Sequence, residues 1–454
     1  MPAPDSGNRR SRMATLALVV ALVVALLGAA SMLYFHLGLF RPQERKVAAA
    51  KHLAGEYAFG DDFYPIWLTL KLRLGGRSDP YSREATRQIQ TGLFGRPLEG
   101  RLPTDPPADY RTFAYPAYAD LLLWPTAEVP FPILRIAWVA LLAALTAASV
   151  FLWTQALRWN PGRIWLSIIL LLTLCNYPVL EGLYAGQLGL LVGFLLAASL
   201  LSLVRDRLLL AGVLMALSTI KPQMTLLAIL YLSVWSVHDW RRRGRFLIAF
   251  FATMILLTGA SLAVWPNWIE SWKNVILGYH RYATPPLALD LLGWTPGAHG
   301  NIVLIMITLV AAFVFSWRFG GAAAGSYEFW LSVSVLLALT AITVLPGQAV
   351  YDHVILLPGI LLLACRKERW HAAPIFRSLL LVAAAVLLWP WLASLALIAL
   401  RPFIGTERLY SSAVFALPLR TAGPLPFVVL ALLALALRMR LRWQVGLTSA
   451  SDPR

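Results

Sequence analysis

What most restricts this chain is a succession of nearly uncharged apolar segments, most of about the 17–25 residues that a helix needs to cross a bilayer core. Only 13% of the residues are charged and 59% are hydrophobic, whereas a soluble domain carries about a quarter charged residues. Within lipid every backbone N–H and C=O needs an internal partner, so such segments form helices. The apolar stretches lie at approximately 13–36, 131–157, 163–180, 187–204, 208–221, 222–237, 246–265, 301–317, 329–346, 351–365, 378–400 and 425–438. The expected fold class is an all-α polytopic membrane protein, a bundle of roughly 12 transmembrane helices. Met13 to His36 is too long and too uniformly apolar for a cleaved signal segment, and reads as the first span.

The net charge of +17 is concentrated between apolar segments: Arg9, Arg10 and Arg12; Arg205 and Arg207; Arg241, Arg242, Arg243 and Arg245; Arg366, Lys367 and Arg369; Arg438, Arg440 and Arg442. Short basic loops mark the cytoplasmic side and bind anionic headgroups. The expected partners are therefore anionic membrane lipids and not nucleic acid, in an integral cell-membrane protein with both termini cytoplasmic. Residues 1–12 form a basic N-terminus, 13–442 a single transmembrane domain and 443–454 a tail. Three polar stretches, 37–130, 266–300 and 401–424, then fall outside. Segments 208–221 and 222–237 sit between two basic loops, so they must form a hairpin with Lys221-Pro222 at its outer tip. Cys175 and Cys365 both lie in apolar segments and predict neither a disulfide framework nor a thiolate metal site.

The first outer stretch opens on Gly60-Asp61-Asp62-Phe63-Tyr64-Pro65-Ile66-Trp67 and returns through Phe113-Ala114-Tyr115-Pro116. A carboxylate at the rim of an apolar bundle can take a proton from a hydroxyl as that oxygen attacks. Asp62 and Asp61 are the candidate catalytic residues, although an Asp before Phe63 also fits an N-cap. Phe63, Ile66, Trp67, Leu70 and Leu74 recur at three- and four-residue spacing, which predicts an amphipathic interfacial helix over 62–74. Leu121 to Pro130 is apolar but too short to span, hence re-entrant or interfacial.

Candidate substrate contacts follow from polar groups at the same predicted end. An ammonium at the hairpin tip, Lys221, is costly unless it meets an anion or snorkels to the interface. Asp352 and His353 open a later span within Gln348-Ala349-Val350-Tyr351-Asp352-His353, where Asp352 can fix the histidine tautomer. Gln187 closes the turn Glu181-Gly182-Leu183-Tyr184-Ala185-Gly186, and Tyr64 and Tyr115 flank the ends of the insert. Lys273, Arg281, Arg401, Arg408 and Arg420 form a candidate phosphate funnel. No metal cluster is expected: His280 and His299 lack ligand spacing, and no cofactor is expected, with a divalent ion left open. Without a nucleotide-phosphate loop, a donor sugar has to arrive on another carrier.

Taken in order, Asp62-Phe63, Gly75-Gly76, Asp79-Pro80-Tyr81, Phe113-Ala114-Tyr115-Pro116, Leu121-Leu122-Leu123-Trp124-Pro125, Gly186-Gln187, Ala211-Gly212, Lys221-Pro222 and Tyr351-Asp352-His353 resemble glycosyltransferase family 87. The resemblance implies a GT-C fold with interfacial helices and a catalytic aspartate in the first outer loop. It further implies a membrane hexosyltransferase, moving mannose from a polyprenyl-phosphate sugar to a lipid or glycan acceptor of the cell envelope. On that footing Asp62 is the general base, Lys221 a phosphate contact and His353 a residue near the donor. The family often carries Asn at the position of Gly189 and a second His where Val354 stands. A secondary transporter or lipid flippase with about 12 spans is the alternative reading, though charge at mid-depth and repeated halves, the marks of such folds, are not evident.

Overall fold

The computed structural model describes residues 6–76, 79–100, 102–365, 374–420 and 423–449, and side chains throughout these except at 6–12, 14 and 440–449. The basic residues Arg9, Arg10, Arg12, Arg366, Lys367, Arg369, Arg440 and Arg442, and the tail from 443, fall outside the described side chains. Among the described residues the architecture is helical, with one isolated antiparallel bridge between Pro286 and Pro346.

In chain order the helices are α1 (Ser6–Tyr34), α2 (Arg41–Ala50), α3 (Tyr64–Leu74), α4 (Arg83–Phe94), α5 (Tyr118–Leu123), α6 (Phe131–Ala156) and α7 (Arg163–Leu174). They continue as α8 (Tyr177–Ala185), α9 (Leu188–Val204), α10 (Leu208–Leu217), α11 (Leu226–His238), α12 (Trp240–Val264), α13 (Trp268–Tyr279) and α14 (Leu287–Leu291). The last are α15 (Gly297–Phe319), α16 (Tyr327–Thr343), α17 (Leu357–Cys365), α18 (Pro374–Ile404), α19 (Thr406–Ser411) and α20 (Pro424–Ser449). Among the described residues, five helices are long and apolar enough to cross a membrane: Thr15–Ala50, α6, α12, α15 and α18. The expected span at 163–180 is a bent pair, α7 and α8, with 57° between them. Asn176 makes the break, its side chain accepting from the Tyr177 N–H ahead of Pro178. Among the described residues, six further apolar helices are shorter than a full crossing.

The first span runs on past residue 36 through a π-type stretch, Phe35–Phe40, into α2. Segments 208–221 and 222–237 do form a hairpin. Gly212 of α10 packs on Phe246 and Phe250 near the start of α12, and Trp235 of α11 stacks under Arg243 in the same region. Both arms therefore run from one end of α12 towards Lys221, where Pro222 cannot donate a helical N–H. That basic end, with Arg205, Arg207 and Arg241–Arg243, stands opposite the end that carries the polar insert.

The helix expected over 62–74 forms from Tyr64 and buries one face against the rest of the insert. α3 begins at Tyr64, and Ile66, Trp67 and Leu70 are buried in the same core as Ile89 and Leu93 of α4. Helix α4 has an orthodox start and stop, Ser82 accepting from Ala85 N–H at 3.1 Å and Gly95 closing it with left-handed backbone. Its Gln90 saturates its amide on the loop that follows, donating to the carbonyls of Ala108 and Tyr110 and accepting from Leu98 N–H. That one buried amide fixes the segment delivering Arg111.

Candidate active site

The aspartate pair is fastened to the bundle by backbone. Gly60 N–H donates to Tyr184 O at 2.8 Å and Asp62 N–H to Ala185 O at 3.1 Å, joining the loop to the α8–α9 turn. Phe63 stacks on Trp138 with ring centroids 4.3 Å apart, and the Trp138 indole donates to Gly186 O. Gly186 has φ +73°, a left-handed turn that aims Gln187 back at the loop. Asp61 does not cap α3: Phe63 is the N-cap residue and has no side-chain hydrogen bond.

Both aspartates instead meet Arg111, which the sequence reading missed. Its guanidinium pairs with Asp62 Oδ1, with Asp61 Oδ2 at 3.0 Å and with Glu56 Oε1 at 3.7 Å. Arg111 sits at φ +63°, a strained conformation for a residue with a Cβ and one that recurs at functional sites. The Tyr110 hydroxyl donates to Glu56. Three carboxylates thus share one guanidinium, and one of them retains a proton. Burial pushes the Asp61 carboxyl up to about 8; the Asp62 charge adds to the shift and Arg111 opposes it. Burial opposes the Arg111 charge too, but Asp61 and Asp62 hold its pKa well above the ordinary arginine value. The Asp62 side chain is 19% exposed and that of Asp61 5%, so Asp62 is the acid a substrate can reach.

From Asp62 a chain of polar contacts runs into the bundle. Gln187 donates through Nε2 to Asp62 Oδ2. Lys221 donates to Gln187 Oε1 at 3.1 Å and to Asp352 Oδ1 at 2.6 Å, and its ammonium lies 4.7 Å from the centre of the Tyr351 ring. Four predicted residues from four separate segments (Asp62, Gln187, Lys221 and Asp352) therefore form one continuous network. Gly189 makes it fit, because a Cβ there would stand 2.2 Å from Asp352 Oδ1.

A tyrosine rim completes the site. Tyr115, a candidate from the sequence, and Tyr279 of α13 both lie within the field of Asp62. Burial raises the Tyr115 phenol well above the usual range and pushes Tyr279 up to about 12, with the Asp62 charge adding in both cases. Both remain hydroxyl donors at neutral pH. Helix α13 is held over the insert by Trp272 Nε1 donating to Ala114 O and by the Arg281–Asp109 pair. The turn after it is tied to the segment before Tyr351 by Gln348 N–H to Thr284 Oγ1 and Leu287 N–H to Leu345 O. These links run through backbone carbonyls and N–H groups as well as side chains and follow no sequence period, which is why the sequence reading passed over Tyr279.

Other expected positions differ. Tyr64 is turned to α4, its hydroxyl against Gly92 and its ring on Phe131. The turn expected from Glu181 to Gly186 is largely the end of α8: Glu181 lies within that helix, pairs with the buried Arg41 and sits 3.2 Å from His36. Of the residues expected in the basic funnel, Arg281 pairs with Asp109, Lys273 with Glu270 and Arg401 with the Tyr34 and Thr406 hydroxyls. His353 points away from the Asp62 network, and neither ring nitrogen has a hydrogen-bond partner among the described residues. It lines a cavity of about 730 Å³ between α7, α17, α18 and α20, otherwise walled mainly by apolar side chains such as Ile169, Leu172, Leu361, Ala383 and Val429. The cavity reaches Trp159 and Asn160 towards the basic end.

The arrangement offers a reachable carboxylate held by N–H donors, buried positive charge, neutral hydroxyls and a lipophilic cavity next door. Comparison with known families matches residues 113–346 to the family described as glycosyltransferase family 87. The matched stretch holds Tyr115, Gln187, Lys221 and Tyr279, and stops short of Asp62 on one side and Asp352 on the other. Neither the curated proteins nor the solved structures gave a match. With just over half its length matched, this chain belongs to glycosyltransferase family 87, and it is a membrane-embedded transferase of sugars.

Proposed function

We propose that the protein transfers a hexose, mannose being the first candidate, from a polyprenyl-phosphate carrier to a hydroxyl of a lipid or glycan acceptor. The insert end faces outward in this reading, opposite the basic cytoplasmic end. The shorter apolar helices are read as crossings shortened by re-entrant ends, returning a bundle of roughly twelve.

Asp62 acts as general base. Its carboxylate takes the proton of the acceptor hydroxyl as that oxygen attacks the anomeric carbon. The bond from that carbon to the phosphate oxygen breaks, the electron pair leaves with the polyprenyl phosphate, and the anomeric centre inverts. Phosphate is a good leaving group, so it needs donors and positive field more than a general acid. Tyr115, Tyr279 and Tyr351 supply donors around Asp62, and Arg111 and Lys221 supply the field. The single observation carrying this reading is the join of Asp62 through Gln187 and Lys221 to Asp352 at the end where Asp62 is reachable. The apolar cavity at His353, one residue from Asp352, supports a lipid-borne donor.

The test is sugar transfer by purified protein in lipid nanodiscs, supplied with radiolabelled polyprenyl-phosphate sugars and a membrane lipid extract. Asp62→Asn is expected to lower kcat by about 10²–10⁴, the usual contribution of a positioned base. A folded Asp62→Asn protein with the wild-type rate overturns the assignment.

A further inference from the structure

The network around Asp62 has a direction. An amide has two unlike ends, an acceptor oxygen and a donor NH₂. Lys221 donates to Gln187 Oε1 at 3.1 Å, which leaves Nε2 as the end that meets Asp62 Oδ2. The opposite rotamer of the amide would set NH₂ against an ammonium and a carbonyl against a carboxylate. Lys221 is itself fixed: an ammonium has three N–H bonds, one goes to Gln187, one to Asp352 at 2.6 Å, and the Tyr351 ring lies 4.7 Å away. Asp352 is fully buried and matches the ammonium charge inside the bundle. Arg111 holds the other oxygen, Asp62 Oδ1, and is itself braced by Asp61 and Glu56.

The geometry assigns Lys221 as a positioning residue that acts on Asp62 through the Gln187 amide, and not as a direct contact of the donor phosphate. Lys221 is buried, two of its three N–H bonds are taken by Gln187 and Asp352, and the Tyr351 ring packs beside the ammonium, which leaves little room for a phosphate. With the amide set, both carboxylate oxygens of Asp62 are gripped by N–H donors, and the remaining lone pairs point at a defined place for the acceptor hydroxyl. The inference rests on Asp62 being the base. The charged and titratable groups facing Asp62 are Arg111, Asp61 and Tyr115 from the insert, Tyr279 from α13 and Tyr351 and Asp352 from the segment before α17.

The experiment compares kcat, KM for the lipid-sugar donor and direct binding of decaprenyl phosphate in nanodiscs. Lys221→Met is expected to lower kcat about tenfold or more while KM and decaprenyl-phosphate binding stay within about threefold, the pattern of an interaction made only in the transition state. The pair Lys221→Met with Asp352→Asn removes both buried charges, guards against misfolding, and is expected to behave the same way. Gln187→Glu sets a second carboxylate against Asp62 and is expected to move the acidic limb of the pH–kcat profile to higher pH, as a like charge does. The inference is overturned if Lys221→Met, or the double variant, weakens decaprenyl-phosphate binding about tenfold with kcat retained at saturating donor. Binding is also measured in the Asp62→Asn background. Full activity of Asp62→Asn itself sinks the base reading, whereas the binding arm judges Lys221 separately.

Discussion

At the level of single residues, the two adjacent aspartates are chemically identical in sequence and different in place. Asp61 is enclosed and Asp62 half-reachable, and the guanidinium of Arg111 ties them together. Their pairing with Arg111 could not be read from sequence, because Arg111 stands 50 positions after Asp61 and a left-handed backbone brings it in. The local capping rule competed for Asp61 and lost to that long-range cation. In the folded protein Asp61 keeps its proton up to about 8, while an unfolded chain releases it near ~4. The folded state therefore binds more protons across that window, and stability falls as pH rises through it. Asp61→Asn is expected to flatten the decline, read as a smaller drop in Tm between about pH 5 and about pH 9. A decline as steep as that of the wild type would place the retained proton on another group.

At the level of elements, the hairpin of α10 and α11 was legible from charge alone: two basic loops flanking two short apolar runs leave no other path. The character of α3 was not. Its apolar spacing marks a covered face without saying what covers it, and α4 and α6 supply that cover. Helix α9 shows how closely elements must meet to build the network. Gly189 faces Asp352 so tightly that an added methyl group would stand 2.2 Å from the carboxylate oxygen. Gly189→Ala is expected to push Asp352 from Lys221, costing about 1–3 kcal/mol as overpacking does and lowering kcat without raising donor KM. Thermal unfolding and steady-state kinetics check both halves. An alanine variant of unchanged stability and rate would show that the α9 contact with Asp352 has slack.

At the level of the whole molecule, polar chemistry gathers at one end and basic charge at the other, with an apolar cavity of about 730 Å³ reaching between them. Such a cavity in a soluble protein would hold a small apolar ligand; here it lies beside the Asp352 segment in a bundle surrounded by lipid. Ala383 lines it on α18. Ala383→Trp is expected to raise KM about tenfold for a long-chain polyprenyl donor while leaving a short-chain donor nearly unaffected, because only the long chain needs the filled volume. Equal effects on both donors, or none on either, would remove the cavity from the donor path.

Hydropathy and the placement of Lys and Arg were enough to determine a helical membrane bundle, its hairpin and the end where chemistry gathers, since both act along the chain and need no knowledge of neighbours. Asp62, Gln187, Lys221 and Asp352 were each legible as polar residues out of place in apolar surroundings. Which of them touch was decided only by tertiary packing. So were the arrival of Arg111 and Tyr279 and the turning away of Tyr64 and His353. A hydrogen bond depends on position to within a fraction of an ångström, and in this bundle that position is set by helices far apart in sequence.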